Sequence, residues 1–175
     1  MFKHLRTLAI TGAAALPLAI AAIPAHAGTS AGTFSVTATV VNSCVINSAG
    51  NLAFGNYDPN SATPTTGSSS IKVNCTKGDA YTIALNYGAN GGSATNRIMV
   101  SGTNQLDYNL YTDTGYSNVW LATCPSPVGT SCDGGTGAGP GAGNAQTYTV
   151  YGSIAIGQNV PAGSYSDTIQ VTVTF

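Results

Sequence analysis

The sequence predicts an all-β sandwich stapled by disulfides. Three observations carry that reading. Apolar residues recur at every second position in several short runs, turn-forming residues separate the runs, and four cysteines all lie beyond an export-type N-terminal segment.

The export-type segment comes first. Lys3 and Arg6 precede an apolar stretch over residues 8–23, and Ala25-His26-Ala27 places small residues at the two positions a signal peptidase reads. Residues 1–27 are therefore expected to be a signal peptide, cleaved before Gly28. The apolar stretch is shorter than the ~20 residues a spanning helix needs, and no second long apolar run follows. No membrane span is expected in the mature chain, whose residues 28–175 suit one domain with a substantial core.

The first alternating run opens the mature chain. Phe34, Val36, Ala38 and Val40 interleave with Thr33, Ser35, Thr37 and Thr39, the pattern of a half-buried strand. Further strands are expected over residues 70–74, 80–86, 98–100, 107–112, 146–154 and 166–175. In the last of these, Ile169, Val171, Val173 and Phe175 interleave with Thr168, Gln170, Thr172 and Thr174. Turn signals lie between: Asp58-Pro59-Asn60, residues 88–92, Ser101-Gly102, Asp133-Gly134-Gly135 and Pro161-Ala162-Gly163. Residues 125–145, dense in Gly and Pro, read as a long mobile loop. No helical periodicity stands out in the mature chain.

Composition narrows the chemistry. Both histidines, His4 and His26, precede the expected cleavage point, and all 6 acidic residues are aspartates. A mature chain without His or Glu lacks the commonest general base and the commonest metal ligand. Against the aspartates stand Lys72, Lys77 and Arg97 alone, which leaves no basic footprint for nucleic acid. No catalytic residue, metal ligand or cofactor is expected. A Ser–Lys pair using Lys72 or Lys77 is weighed against a solvated surface role, and the surface role is preferred. The glycine-rich stretch has no lysine after it to act as a phosphate loop, and Asp133-Gly134 lacks the alternating acidic ligands of a calcium loop. Trp120, Tyr116 and Tyr111 suggest an aromatic platform, but large aromatics are ordinary in a sandwich core.

The cysteines are Cys44, Cys75, Cys124 and Cys132. In an exported chain four cysteines imply two disulfides, with three connectivities open. Sequential pairing, Cys44–Cys75 and Cys124–Cys132, is favoured. The first closure alone is worth roughly 3–4 kcal/mol in the chain-entropy account. Zinc is disfavoured, because no two cysteines have C-x2-C spacing and no histidine remains.

Several segments, taken in order, resemble one family. They are Phe34-Ser35-Val36, Cys44-Val45-Ile46, Leu52-Ala53-Phe54-Gly55-Asn56-Tyr57, Ile71-Lys72-Val73-Asn74-Cys75-Thr76-Lys77-Gly78 and Tyr81-Thr82-Ile83-Ala84-Leu85. Leu106-Asp107-Tyr108-Asn109-Leu110-Tyr111-Thr112-Asp113, Tyr151-Gly152-Ser153-Ile154 and the ending from Gly163 to Phe175 complete the set. Together they resemble the spore coat protein U family, which includes subunits of archaic chaperone–usher pili.

The resemblance implies an incomplete immunoglobulin-like β-sandwich, completed by a donated strand. A periplasmic chaperone lends that strand first and holds the C-terminal strand. At an outer-membrane usher, the N-terminal segment of a neighbouring copy or related subunit replaces it. Carried onto this chain, residues 28–41 are the donor strand, with Phe34, Val36, Ala38 and Val40 as groove-filling side chains. Residues 42–175 are the pilin-like domain. Ile169, Val171, Val173 and Phe175 form the acceptor edge and chaperone contact. Cys44–Cys75 matches the family's disulfide, whereas Cys124–Cys132 lies outside the pattern. The implied role is structural: a surface fibre subunit, exported through the periplasm, serving adhesion or biofilm formation. A second reading is a self-contained secreted binding module for carbohydrate or a surface, or a spore or cell coat protein.

Overall fold

The computed structural model describes residues 26–124 and 141–175. The expected signal peptide and Cys132 fall outside those residues, apart from His26 and Ala27. The chain divides into two units after Ala38. Of the first, residues 26–38 are described, and they form no strand. The second unit holds the strands of the described residues: β1 (Cys44–Ala49), β2 (Thr65–Cys75), β3 (Thr82–Leu85), β4 (Arg97–Ser101), β5 (Asn104–Tyr111), β6 (Gln146–Ile154) and β7 (Val171–Thr174).

Five strands make one antiparallel sheet in the order β1-β2-β6-β5-β4, and β3 pairs with β7 in a second sheet. The long β2–β6 ladder, from Thr65↔Ile154 to Val73↔Gln146, is its spine. Period-two burial follows from the pleat. Ile71 and Val73 of β2, Val150 and Ile154 of β6, and Leu106, Tyr108 and Leu110 of β5 all point into the core. The facing layer supplies Tyr81, Ile83, Leu85 and Trp120. Trp120 is thus core rather than platform, and its indole N–H donates to the Ile83 carbonyl at 2.9 Å. Tyr111 and Tyr116 do meet edge to face at 5.5 Å. Tyr116 has φ 53°, a rare conformation for an aromatic residue. Asp113 holds that turn by accepting from the Asn118 amide at 2.8 Å, and this and neighbouring amide bonds keep its carboxyl below the usual range.

Two differences from the sequence reading have physical causes. β1 was not expected, because only Cys44 on it is even partly buried and its register slips between Ile46 and Ser48. A bulge breaks the alternation that would announce a strand. β2 begins at Thr65 rather than residue 70, and its inward positions there are Gly67 and Ser69. A Cβ on Gly67 would lie 2.9 Å from the Ala53 carbonyl oxygen. Opposite it in the ladder, a Cβ on Gly152 would lie 2.8 Å from Phe54 Cζ and 2.9 Å from Leu52 Cδ1. The sheet is bare at this pair so that residues 52–54 can lie across it.

Cys44 and Cys75 are disulfide-bonded directly across the β1–β2 ladder, with Cα atoms 4.1 Å apart. Cys124 is also disulfide-bonded. Arg97, which the sequence marks as an ordinary charge, is wholly buried at 0% exposure.

Candidate functional site

The second unit carries a groove of about 400 Å³. One wall is residues 49–52 with Phe54, and the other is residues 165–169 with Val171. Its floor is the core face of the large sheet, where Ile71, Val150, Leu110, Tyr108 and Met99 are reached, with Leu85 at the far layer. Among the described residues no strand runs between the two walls.

Each wall is built by a different force. Beyond Ala49 the chain makes one further backbone bond to β2, from the Gly50 amide to the Ser70 carbonyl at 2.9 Å. Residues 51–58 then leave the ladder and are held by side chains. Leu52 and Phe54 pack on the core, and Phe54 meets Tyr108 edge to face at 5.8 Å. The Tyr57 hydroxyl donates to the Ala155 carbonyl at 3.1 Å and accepts from the Gln158 amide at 2.8 Å.

The opposite wall alternates inward and outward from Tyr165 to Val173, as its sequence pattern requires. Only parts of it are paired. Ser166 bridges Val100 of β4, and the β3 ladder runs from Leu85↔Val171 to Thr82↔Thr174. Between them, the Gln170 amide donates to Asn86 Oδ1 at 2.8 Å and the Gln170 carbonyl accepts from the Asn86 amide. The inward side chain at 167 is a carboxylate, which the apolar pattern does not announce. Asp167 Oδ1 accepts from the Ala89 amide at 2.9 Å and Asn90 Nδ2 at 3.0 Å, and Oδ2 accepts from the Tyr108 hydroxyl at 2.7 Å. Burial, followed by the bond to Asp167, pushes the Tyr108 hydroxyl well above its ordinary pKa, so it stays a donor. Tyr108→Phe should therefore leave a charged acceptor short. The expected loss is about 1.5–3 kcal/mol, read as a lower urea midpoint; an unchanged midpoint would show that the bond does not brace this wall.

The expected site residues distribute as follows. Ile169 and Val171 line the groove, Val173 packs against the core, and Phe175 is 51% exposed. Phe34, Val36 and Val40 are 88%, 83% and 81% exposed, and Ala38 is exposed. The half-buried strand expected at residues 33–40 is thus not formed here.

The Spore Coat Protein U domain matches residues 30–172. The chain belongs to the Spore Coat Protein U domain family. Within that family, Protein U of Myxococcus xanthus is 36% identical over 184 residues, covering 95% of each protein. Among solved structures, a chain in the crystal structure of the CsuC-CsuE chaperone–tip adhesion subunit pre-assembly complex, from the archaic chaperone–usher Csu pili of Acinetobacter baumannii, superposes with a TM-score of 0.52. The identity is 23%, over 78% of this chain and 40% of that one. This chain therefore shares the fold of an archaic pilus subunit.

Nothing in the local sequence announces the wall at residues 49–54 or the Asp167 cluster. The motif Leu52-Ala53-Phe54 was visible, yet nothing local says that it lies over glycines distant in sequence. Asp167 reads as a turn aspartate because its partners, Tyr108 and residues 89–90, come together only in the fold.

Proposed function

We propose that the chain is a structural subunit of a surface fibre, assembled by a chaperone–usher route through strand donation. Residues 28–41 of one copy fill the groove of the next, and a periplasmic chaperone supplies a temporary strand before that. The observation that supports this most is the strandless apolar groove, in a chain whose N-terminal segment carries exposed alternating apolar residues. Each Val or Phe side chain taken from water into such a groove contributes about 1.5–3 kcal/mol. Main-chain hydrogen bonds to the unpaired stretches of the walls fix the register of an added strand. Donation that passes head to tail without closing yields a filament. Adhesion or biofilm formation would be the use of such a fibre, and the cell surface its destination.

A coat layer built by the same donation is the second reading, favoured by the family to which the chain belongs. Both rest on the same molecular event. A self-contained sugar-binding module loses its main support with Trp120 in the core.

The test is the variant Phe34→Asp with Val36→Asp, in the chain of residues 28–175. Two carboxylates cannot enter an apolar groove unpaired. The wild type should form concentration-dependent assemblies on size-exclusion chromatography, and the variant should not. Addition of a synthetic peptide of residues 28–41 should cap the wild type and be bound by the variant. Assembly of the variant at the wild-type level would overturn donation from this segment.

A further inference from the structure

Strand donation has an internal competitor, because each chain carries both a donor and a groove. Resting on the donation reading above, we infer that the root of the donor segment is clamped so that a chain cannot fill its own groove. The clamp is the Thr76 side chain beside the Cys44–Cys75 disulfide.

The contacts all lie within the second unit. Thr76 directly follows Cys75, which is bonded to Cys44. The Thr76 amide donates to the Ser43 carbonyl at 2.9 Å, and the Ser43 amide donates to Thr76 Oγ1 at 3.1 Å. The Thr76 hydroxyl hydrogen is shared between the Ser43 carbonyl at 3.2 Å and the Val41 carbonyl at 3.4 Å. Residues 41–43 thus continue past the end of β2 as an extension of β1, fixed by one side chain that both donates and accepts.

Self-filling could occur in two directions, and reach excludes the first. A strand running the same way as residues 49–54 would end at the Phe54 end of the groove, over Gly67. From Cys75 to Gly67, β2 covers about 27 Å. Even the near end, at Ala49 opposite Ile71, is about 13 Å from the Cys44 level. The three residues from Val41 to Cys44 span at most about 11 Å. Cys44 cannot move to help, being stapled.

The second direction is a hairpin, with the donor turning back at Asn42-Ser43 to run against residues 44–54. Reach allows this, and Asn and Ser are competent turn residues. It requires residues 41–43 to leave Thr76. The hydrogen bonds at Ser43 and Val41 are therefore what keeps the hairpin closed off. Their effect on assembly is larger than their number suggests, since a tethered donor acts at an effective concentration in the millimolar range.

Thr76→Val keeps the side-chain shape and removes the hydroxyl. Chains of residues 28–175 are refolded at several concentrations, with an intact disulfide and native Trp120 fluorescence as the check on folding. Wild type should give assemblies that grow with concentration. Thr76→Val should give a several-fold larger monomer fraction that does not change with concentration, and those monomers should fail to capture a labelled peptide of residues 28–41. Thr76→Ser should behave as wild type. A Thr76→Val distribution matching wild type, or Thr76→Val monomers that bind the peptide freely, would overturn the clamp. Should the Phe34→Asp, Val36→Asp chain assemble normally, the donation reading itself fails. Should that chain stay monomeric while Thr76→Val matches wild type, only the clamp falls.

Discussion

Arg97→Ala should destabilise the domain by about 2–5 kcal/mol, because several buried acceptors lose their donor at once. Arg97 is fully buried, and its acceptors are neutral. Nε donates to the Asn86 carbonyl at 2.9 Å, Nη1 to Asn109 Oδ1 at 2.6 Å, and Nη2 to the Leu85 and Trp120 carbonyls at 3.0 and 2.6 Å. Burial pulls its pKa down, while nearby Tyr108, Tyr87 and Asp167 oppose that pull. One guanidinium therefore ties β4 and β5 to the end of β3 and to the Trp120 segment. Alanine would take this donor from three backbone carbonyls beside a cavity, each with its own desolvation cost, while Asn109 Oδ1 would keep only the Leu110 amide at 2.9 Å. Lysine should not rescue, because a point ammonium cannot reproduce a planar fork that reaches four acceptors. The readout is urea unfolding followed by Trp120, the only tryptophan. A midpoint within error of wild type for Arg97→Ala would contradict this account.

Removal of the Cys44–Cys75 bond, as Cys44→Ala with Cys75→Ala, should cost about 3–4 kcal/mol. The figure follows from closing a loop with a sequence separation of 31 in the chain-entropy account. The physical consequence is local as well as global. β1 is an edge strand with little buried side-chain surface, so the staple is its main anchor to β2. Loss should appear first as hydrogen exchange in β1 and residues 49–52, ahead of the β2–β6 spine. Native-like protection of β1 in the reduced or substituted protein would show that the ladder alone suffices.

These two cases also show what a sequence discloses. The cysteines were legible because their chemistry and export context restrict them to few roles. Arg97 was not, since its acceptors are mostly backbone carbonyls from strands distant in the chain. The spine strand over residues 146–154 was read with its true limits, because Val150 and Ile154 alternate cleanly with exposed Thr147 and Thr149. Residues 166–175 carried the right alternation, but the strand they form is shorter than the pattern suggests. Their ladder with β3 covers only Val171–Thr174, since the preceding stretch borders the groove. Residues 33–40 show the complementary case. A clean strand pattern there forms no strand among the described residues, so alternation alone does not say what an amphipathic segment pairs with. The groove itself was legible only through family resemblance, as no single segment encodes a missing neighbour.

The bare glycine pair beneath Leu52 and Phe54 has a consequence for how the two sides of the groove respond to a guest. Residues 165–171 are moored by hydrogen bonds at both ends, so they behave as a fixed jaw. Residues 51–54 rest on smooth backbone at Gly67 and Gly152 through dispersion contacts, which weaken gradually as the surfaces slide. Moving that side would break no strand ladder. On the proposed strand donation, one incoming strand would displace another in small steps, with the wall turning near Gly50 and held at its far end by the Tyr57 hydroxyl.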